Sequence, residues 1–462
     1  VDNYRQTHVQ LLYNGQLDQQ WRFDLAGHYT RGKGFFELYK AEELLSDFNV
    51  PIVDLGAVSD LIQRRWLDNH FYGITSALHY LSEDQRTKVT LGGALNNYRG
   101  RHFGEIIWTD LTKDLEEPTI YYDNDAEKFD FNIYGKINYQ LTNALSGYVD
   151  LQFRYLKYQF EDGLRIPRED QLSFLNPKLG LVYRLTDQSR LYASFGVANR
   201  EPNRSDFTES SIGSRPNPET LYNTELGYRQ NWKKAMLGVN LYHMLYDDQL
   251  VLTGRINDVG EYTRRNVDDS YRLGVELEGM IMPVNALQIG GSLTLSQNKI
   301  SSFTEFIDDW DNGGQIAVNH ENTDLAFSPN IIFAGEISYD VLSKLSNQSL
   351  TVALVNKYVG SQFIDNTSND NTRLDAYTFS DLRINYKVQA APFKDLAITL
   401  LVRNIFNSKF STNAWTYRYS SAGFDARPDN LNAQLEGGAI YNLTGLFPQA
   451  GTNFLLGVTL GF

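Results

Sequence analysis

The stretch YRLGVELEGMI, residues 271–281, sets Tyr271, Leu273, Val275, Leu277 and Ile281 against Arg272, Glu276 and Glu278. Alternation with a period of two belongs to a β-strand, whose successive side chains point to opposite faces. At 3.6 residues per turn a helix would spread the same charges around its whole circumference. The strand therefore has one oily face and one wet face. In a soluble sandwich the oil packs inside; in a membrane barrel it faces out and the charges line the interior.

The pattern recurs along the chain. Val149, Leu151, Phe153 and Tyr155 oppose Asp150, Gln152 and Arg154; Leu237, Val239, Leu241 and Leu245 oppose Asn240, Tyr242 and Tyr246; Leu396, Ile398, Leu400 and Val402 oppose Thr399 and Arg403. About 17 strands are predicted in this way. Short connections are expected at 14–16, 82–86, 141–143, 186–188, 231–234, 282–285 and 389–395. Long ones are expected between them, at 32–66, 100–125, 162–171, 200–218, 248–263, 302–326, 364–373 and 411–450. Short and long connections in strict turn place every long loop at one end. Only FELYKAEELL (36–45) and SDLIQRRW (59–66) have a helical pattern, both within one connection.

Composition narrows the class. The chain has 462 residues, enough for one large barrel. It has no apolar run long enough for a membrane helix, a test that spanning strands escape because half of their residues are polar. Tyr and Phe number 29 and 26 against 6 Trp, an excess that suits rings anchored at bilayer interfaces. With no cysteine, neither a disulfide framework nor a thiolate metal site can form. A net charge of −14 argues against a nucleic-acid partner.

GTNFLLGVTLGF closes the sequence with Phe454, Leu456, Val458, Leu460 and Phe462 on one face. An alternating strand ending in Phe resembles the signal read by the outer-membrane assembly machinery. It puts the C-terminus on the periplasmic side and the long loops outside the cell. The fold expected is all-β, a transmembrane antiparallel up-and-down β-barrel in the bacterial outer membrane. An odd strand count conflicts with the even numbers of such barrels, so residues 1–462 are expected to be an N-terminally incomplete barrel.

Ordered segments then resemble the TonB-dependent outer-membrane receptors, especially those of Bacteroidetes. They are LGGALNNYRGRHFGEIIW (91–108), LNPKLGLVYRLTDQSRLYASFGVANREPNRSDF (174–207), NPETLYNTELGYR (217–229), LDAYTFSDLRINYKV (374–388), LVRNIFNSKF (401–410) and the closing Phe strand. The resemblance implies a 22-stranded barrel occluded by a plug domain that carries a TonB box. Neither plug nor TonB box is found in this sequence. It further implies uptake of a scarce nutrient driven by the TonB complex. The cargo expected is a metal chelate such as a ferric siderophore, with the vitamin cobalamin, haem or a glycan as alternatives. Lipid bilayer and lipopolysaccharide are the expected surroundings. The rival reading is a passive diffusion channel.

No catalytic constellation is present: the seven histidines are scattered, without H-E-x-x-H or G-x-S-x-G. Ligand capture falls on loop residues combining cations with rings, namely Arg101, His102 and Trp108, then Arg200 and Arg204 (with Arg215 nearby), then Trp415, Tyr417 and Arg418. Such groups suit anionic, ring-bearing ligands through ion pairing and cation–π contact. Packing in loops and interfacial girdles is the competing use of the same residues. Arg154, Arg272, Glu276, Glu278 and Arg403 are expected to face the lumen. DDWDNGG (308–314) offers Asp309 and Asp311 to a loop calcium ion, although the distant bidentate Glu of an EF-hand is missing.

Overall fold

A computed structural model describes residues 2–461 apart from 52, 53, 55, 113–116, 162–166, 209–214, 257–261, 343–346, 390–393, 426 and 429–432. Two compact units are present, residues 1–179 and 180–462. In the first, β1 (Asp2–Gln16), β2 (Trp21–Leu44), β3 (Val58–Leu81), β4 (Thr87–Thr109), β5 (Thr119–Gln140) and β6 (Leu145–Glu161) each pair antiparallel with the next. Strand β7 (Pro167–Arg184) crosses the boundary between the units.

The second unit contains β8 (Ser189–Arg200), β9 (Glu219–Trp232), β10 (Ala235–Ile256), β11 (Tyr262–Val284), β12 (Leu287–Asp309), β13 (Gln315–Asp324), β14 (Ile331–Asp340) and β15 (Gln348–Val359). It continues with β16 (Gln362–Phe363), β17 (Arg373–Leu374), β18 (Tyr377–Val388), β19 (Asp395–Arg403), β20 (Ser411–Ser420), β21 (Ala433–Gly437), β22 (Ile440–Pro448) and β23 (Asn453–Gly461). Its up-and-down run is β8–β9–β10–β11–β12–β14–β15–β18–β19–β23. Six long strands, β7 and these ten give the seventeen read from the alternation. The remaining strands belong to the loops.

Side chains at the turn end close most connections where the sequence places them. Asp84 accepts from Ser82 Oγ and the Arg86 amide, and Thr142 Oγ1 accepts from the amides of Ala144 and Leu145. These local bonds are what makes Asp and Thr turn formers. The first turn lies at 17–20 rather than at 14–16, because β1 runs to Gln16 and Asp18 caps the turn by accepting from the amides of Gln20 and Trp21. A further short connection joins β14 to β15, between the long connections expected at 302–326 and 364–373.

The two faces differ as the alternation requires. Leu237, Leu241 and Leu245 of β10, Leu273, Leu277 and Ile281 of β11, and Leu91 and Leu95 of β4 stand exposed. A leucine row open on strand after strand is stable against lipid, not water. On β10 the outward face stays open from Leu237 through Leu245 to Asp247, after which Gln249, Leu250 and Val251 are buried. Ten residues of tilted strand span about 25 Å, the height of a hydrocarbon band. Exposed Tyr139, Tyr183, Trp232 and Tyr339 mark its turn-end border.

Past the band the strands continue and build their own core. Leu45, Val50, Leu61 and Ile106 cluster in the first unit. Three more clusters form in the second: Val251, Val267, Ile300, Phe303 and Leu325; Tyr419, Ala433 and Tyr441; and Ile364, Leu374 and Ala414. Most long connections are thus strand extensions and added hairpins. The two helical expectations fail. Residues 36–44 are strand, followed by one 3₁₀ turn over Leu45–Phe48, and 59–66 are strand as well. Glu42 takes a positive φ of 55° where the β2–β3 register slips, so the alternation changes phase and imitates a helical period. In 59–66, Ser59, Leu61 and Gln63 share a buried face, and two polar residues there hide the strand pattern.

Candidate functional site

At the loop end of the second unit, β10–β13, the short helix α1 (Arg204–Thr208) and β20 surround a cleft of about 410 Å³. Its walls carry Arg215, Arg255, Arg264, Arg265 and Arg418 together with Asp206, Asp248, Glu305 and Asp365. Gly254 makes this assembly possible. Its φ is +83°, and a Cβ there would lie 2.9 Å from Thr416 Cγ2 and 3.0 Å from Asp365 Cβ. The 364–366 segment can therefore lie directly on β10. Fully buried Asn366 fixes it by donating to the Leu252 carbonyl (2.6 Å) and accepting from the Ala326 amide (2.8 Å).

The arginines differ in how they are compensated. Arg418 is clamped between Glu305 of β12 and Glu436 of β21, all three nearly buried. Burial works against its charge, but the two carboxylates outweigh this and raise its pKa. Arg255 reaches Asp308 at 3.6 Å and lies 5.1 Å from the Tyr417 ring centroid. Burial pushes Asp308 up, yet bonds from Gln315 and Tyr417 and the charge of Arg255 hold it below the usual carboxylate range. Arg264 meets buried Asp206 at 3.5 Å. Arg265 stands apart. It donates to the Thr304 carbonyl (3.2 Å) and stacks over Phe306 (4.4 Å), with no carboxylate within ion-pair distance among the described residues. Burial alone lowers its pKa. An uncompensated guanidinium lining a cleft is a ready partner for an anion.

Asp365 has the opposite problem. Fully buried, it is pushed up to about 6, despite accepting from the Thr367 amide and hydroxyl and from Thr372 Oγ1. The nearby Glu305 charge contributes in the same direction.

Arg418 lines this cleft, and Tyr417 adjoins it by donating to Asp308 (2.7 Å) and accepting from Trp310 Nε1 (3.1 Å). Arg204 opens α1, and its buried Nε has no hydrogen-bond partner among the described residues. Arg200 lies 3.6 Å from Glu219, and the Trp415 indole lies over Gly445. In the first unit Arg101 pairs with Asp123 at 2.5 Å, His102 lies 3.2 Å from the Tyr98 hydroxyl, and Trp108 is half-buried on β4. Arg255, Arg264, Arg265 and Glu305 belong to no motif legible in the sequence, whereas Asp365 opens the acidic stretch DNTSNDN (365–371). The twin Arg of YTRRN (262–266) is the one local hint of them.

On the polar face, Arg154 pairs with Asp130 (2.7 Å), Arg272 donates to Ser328 Oγ (2.9 Å), Glu276 accepts from Asn240 (3.1 Å), and Glu278 meets Arg229 (3.3 Å). Arg403 lies opposite Asn453. Asp309 accepts from the amides of Asp311 and Asn312 and closes its own turn, whereas Asp311 accepts from the Ala422 amide and ties that turn to the segment after β20. Among the described residues no three His, Cys, Asp or Glu side chains group as metal ligands. Phe454, Leu456, Val458 and Leu460 stand exposed on β23, and Phe462 lies outside the described residues.

Comparison with known proteins places this geometry. The chain is 25% identical over 323 residues to the ferric-pyoverdine 358 receptor of Pseudomonas putida, covering 61% of this chain and 37% of that protein. It is 22% identical over 262 residues to the catecholate siderophore receptor Fiu of Escherichia coli K12, covering 54% and 31%. The chain thus spans about a third of the length of these relatives. Among solved structures, the copper transporter OprC superposes with a TM-score of 0.65 at 12% identity, over 98% of this chain and 65% of that one. The ferric citrate transporter FecA gives 0.64 at 16%, over 98% and 62%. Those likenesses establish the fold, and their different cargoes show how little the fold alone says about what passes. Residues 1–405 match the family described as "TonB dependent receptor-like, beta-barrel". The chain belongs to the β-barrel family of the TonB-dependent receptors.

Proposed function

We propose that this chain is the barrel portion of an outer-membrane receptor that captures a scarce anionic iron chelate, a ferric siderophore, and releases it inward when the TonB complex does work on the whole protein. The observation that carries the reading is Arg265, a cleft guanidinium with no carboxylate at ion-pair distance among the described residues, set among four other arginines at the loop end. Aromatic Phe303 and Phe306 share that cleft, which suits a ligand with both charge and rings. The two relatives named for ferric-pyoverdine and catecholate siderophores point to the same class. A cargo held tightly enough to gather from dilute solution leaves slowly, which is why inward release requires energy. The chain binds its cargo and does not transform it.

The test is growth of a deletion strain with either a ferric catecholate or ferric citrate as the sole iron source. Complementation by the wild type should restore growth on one of them, and Arg265→Gln should raise the chelate concentration needed by about tenfold, the worth of one charge-assisted contact. A deletion strain that grows like its parent on every chelate supplied would overturn the proposal.

A further inference from the structure

Among the described residues, every hydrogen bond to the Asp365 carboxyl ends on one of its oxygens. Oδ1 accepts from the Thr367 amide (3.1 Å), the Thr367 hydroxyl (2.8 Å) and the Thr372 hydroxyl (3.0 Å). No donor among them reaches Oδ2, although the residue is only 4% exposed and lines the arginine cleft. The charges around it are committed elsewhere. Arg418 of β20 lies between Glu305 and Glu436, Arg255 of β10 pairs with Asp308, and Arg264 of β11 pairs with Asp206. His320 of β13 meets Glu305, Lys299 of β12 meets Asp324 and, on the same segment, Arg373 pairs with Asp370. Among the described residues no cation stands within ion-pair distance of Asp365, and the charge that acts on it, Glu305 of β12, has the same sign. A sealed carboxyl with its donors gathered on one oxygen and no counter-ion favours a proton on the other. That proton turns Oδ2 from an acceptor into a donor.

We infer that Asp365 is a proton-dependent ligand of the cleft: its neutral carboxyl donates from Oδ2 to an anionic oxygen of the cargo, its ionised form repels that oxygen, and capture takes up a proton. This rests on the anionic cargo proposed above and adds the pH at which the cleft accepts it. Arg265 of β11, the strand paired with β10, supplies a fixed charge to the same cleft. The anion thus meets one permanent cation and one donor that exists only when protonated. An acid that served only to close its own loop would titrate without regard to cargo. With Asp365 pushed up to about 6, only about one molecule in thirty is competent at pH 7.5, against about three in four at pH 5.5. Affinity should therefore fall more than about twentyfold between those values, and by reciprocity the bound anion holds the proton more firmly.

Isothermal titration calorimetry of the detergent-purified full-length protein tests this with ferric citrate and a ferric tris-catecholate. Runs in HEPES and in Tris at pH 7.5 read affinity and proton uptake together, and a run in MES at pH 5.5 reads affinity in acid. Asp365→Asn supplies the reference. Its carboxamide keeps an acceptor for Thr367 and Thr372 and presents a permanent N–H where Oδ2 stood. Subtracting its titration removes the protons that the chelate itself exchanges. At pH 7.5 the Asn variant should bind about thirtyfold more tightly than wild type, and at pH 5.5 the two should agree within about twofold. The wild type should also take up close to one more proton per chelate at pH 7.5. Equal affinities at pH 7.5, or equal proton uptake by the two proteins, overturn the inference while leaving a chelate receptor in place. Absence of binding by both proteins overturns it together with the cargo on which it rests.

Discussion

Replacing Arg418 by Met keeps most of the side-chain volume and removes the charge between Glu305 and Glu436. Their side chains are only 12% and 10% exposed, so two carboxylates would face each other with little water to screen them. Removing one partner from a buried ion pair costs about 3–5 kcal/mol. The lower end applies here, because His320 lies 3.0 Å from Glu305, and Asn369 and Asn442 donate to Glu436. At about 3 kcal/mol, amides of β13 and β20–β22 that exchange by opening of the cap should do so roughly a hundredfold faster. Hydrogen–deuterium exchange in detergent measures this, with residues 237–247 of β10 as the control that should not change. Adding Glu305→Gln and Glu436→Gln to the Met variant should recover most of the protection, because the cost lies in the stranded charges. Unchanged exchange in the cap, equal loss in the wall, or no recovery in the triple variant would each refute the clamp.

Two further outcomes follow from the same fold. Asp365 is raised from 3.8 to about 6, so between those values the folded cap holds a proton that the unfolded chain has released. Stability should fall as pH rises through that window, by about 3 kcal/mol in all. Asp365→Asn, which keeps the acceptor for Thr367 and Thr372, should protect the cap at pH 7.5 and make little difference at pH 4, as read by exchange. On the wall, Leu241→Arg should cost about 2–4 kcal/mol at mid-band and lower the temperature at which the folded gel species is lost. Asn240→Arg, one residue away on the face that meets Glu276, should be tolerated; the reverse order would mean the faces are assigned backwards.

The wall was legible because two solvents impose a period of two: lipid on Leu273 and Leu277, an aqueous polar surface on Glu276 and Glu278. The cap was not, since its strands pack against each other and no longer need to alternate. Ser59 and Gln63 are buried, Glu42 shifts the phase of β2, and the extensions looked like loops or helix. The cleft was harder still. Arg418 finds Glu305 across 113 positions of sequence, and Asn366 reaches Leu252 across 114. No local pattern encodes such partners. The ring-and-cation motifs contain Arg418 and Tyr417, which the fold brings to the cleft and its rim, whereas Arg265 is set apart by having no carboxylate at ion-pair distance among the described residues, which only the folded arrangement reveals.

Among the described residues, all four clusters of buried apolar side chains lie beyond the hydrocarbon band. The wall draws its persistence from backbone ladders and surrounding acyl chains, so it places few demands on which residues sit above. Change can therefore accumulate at the crown, one hairpin at a time, while the staves beneath keep their register. Lineages carrying this architecture can acquire a new appetite without relearning how to assemble.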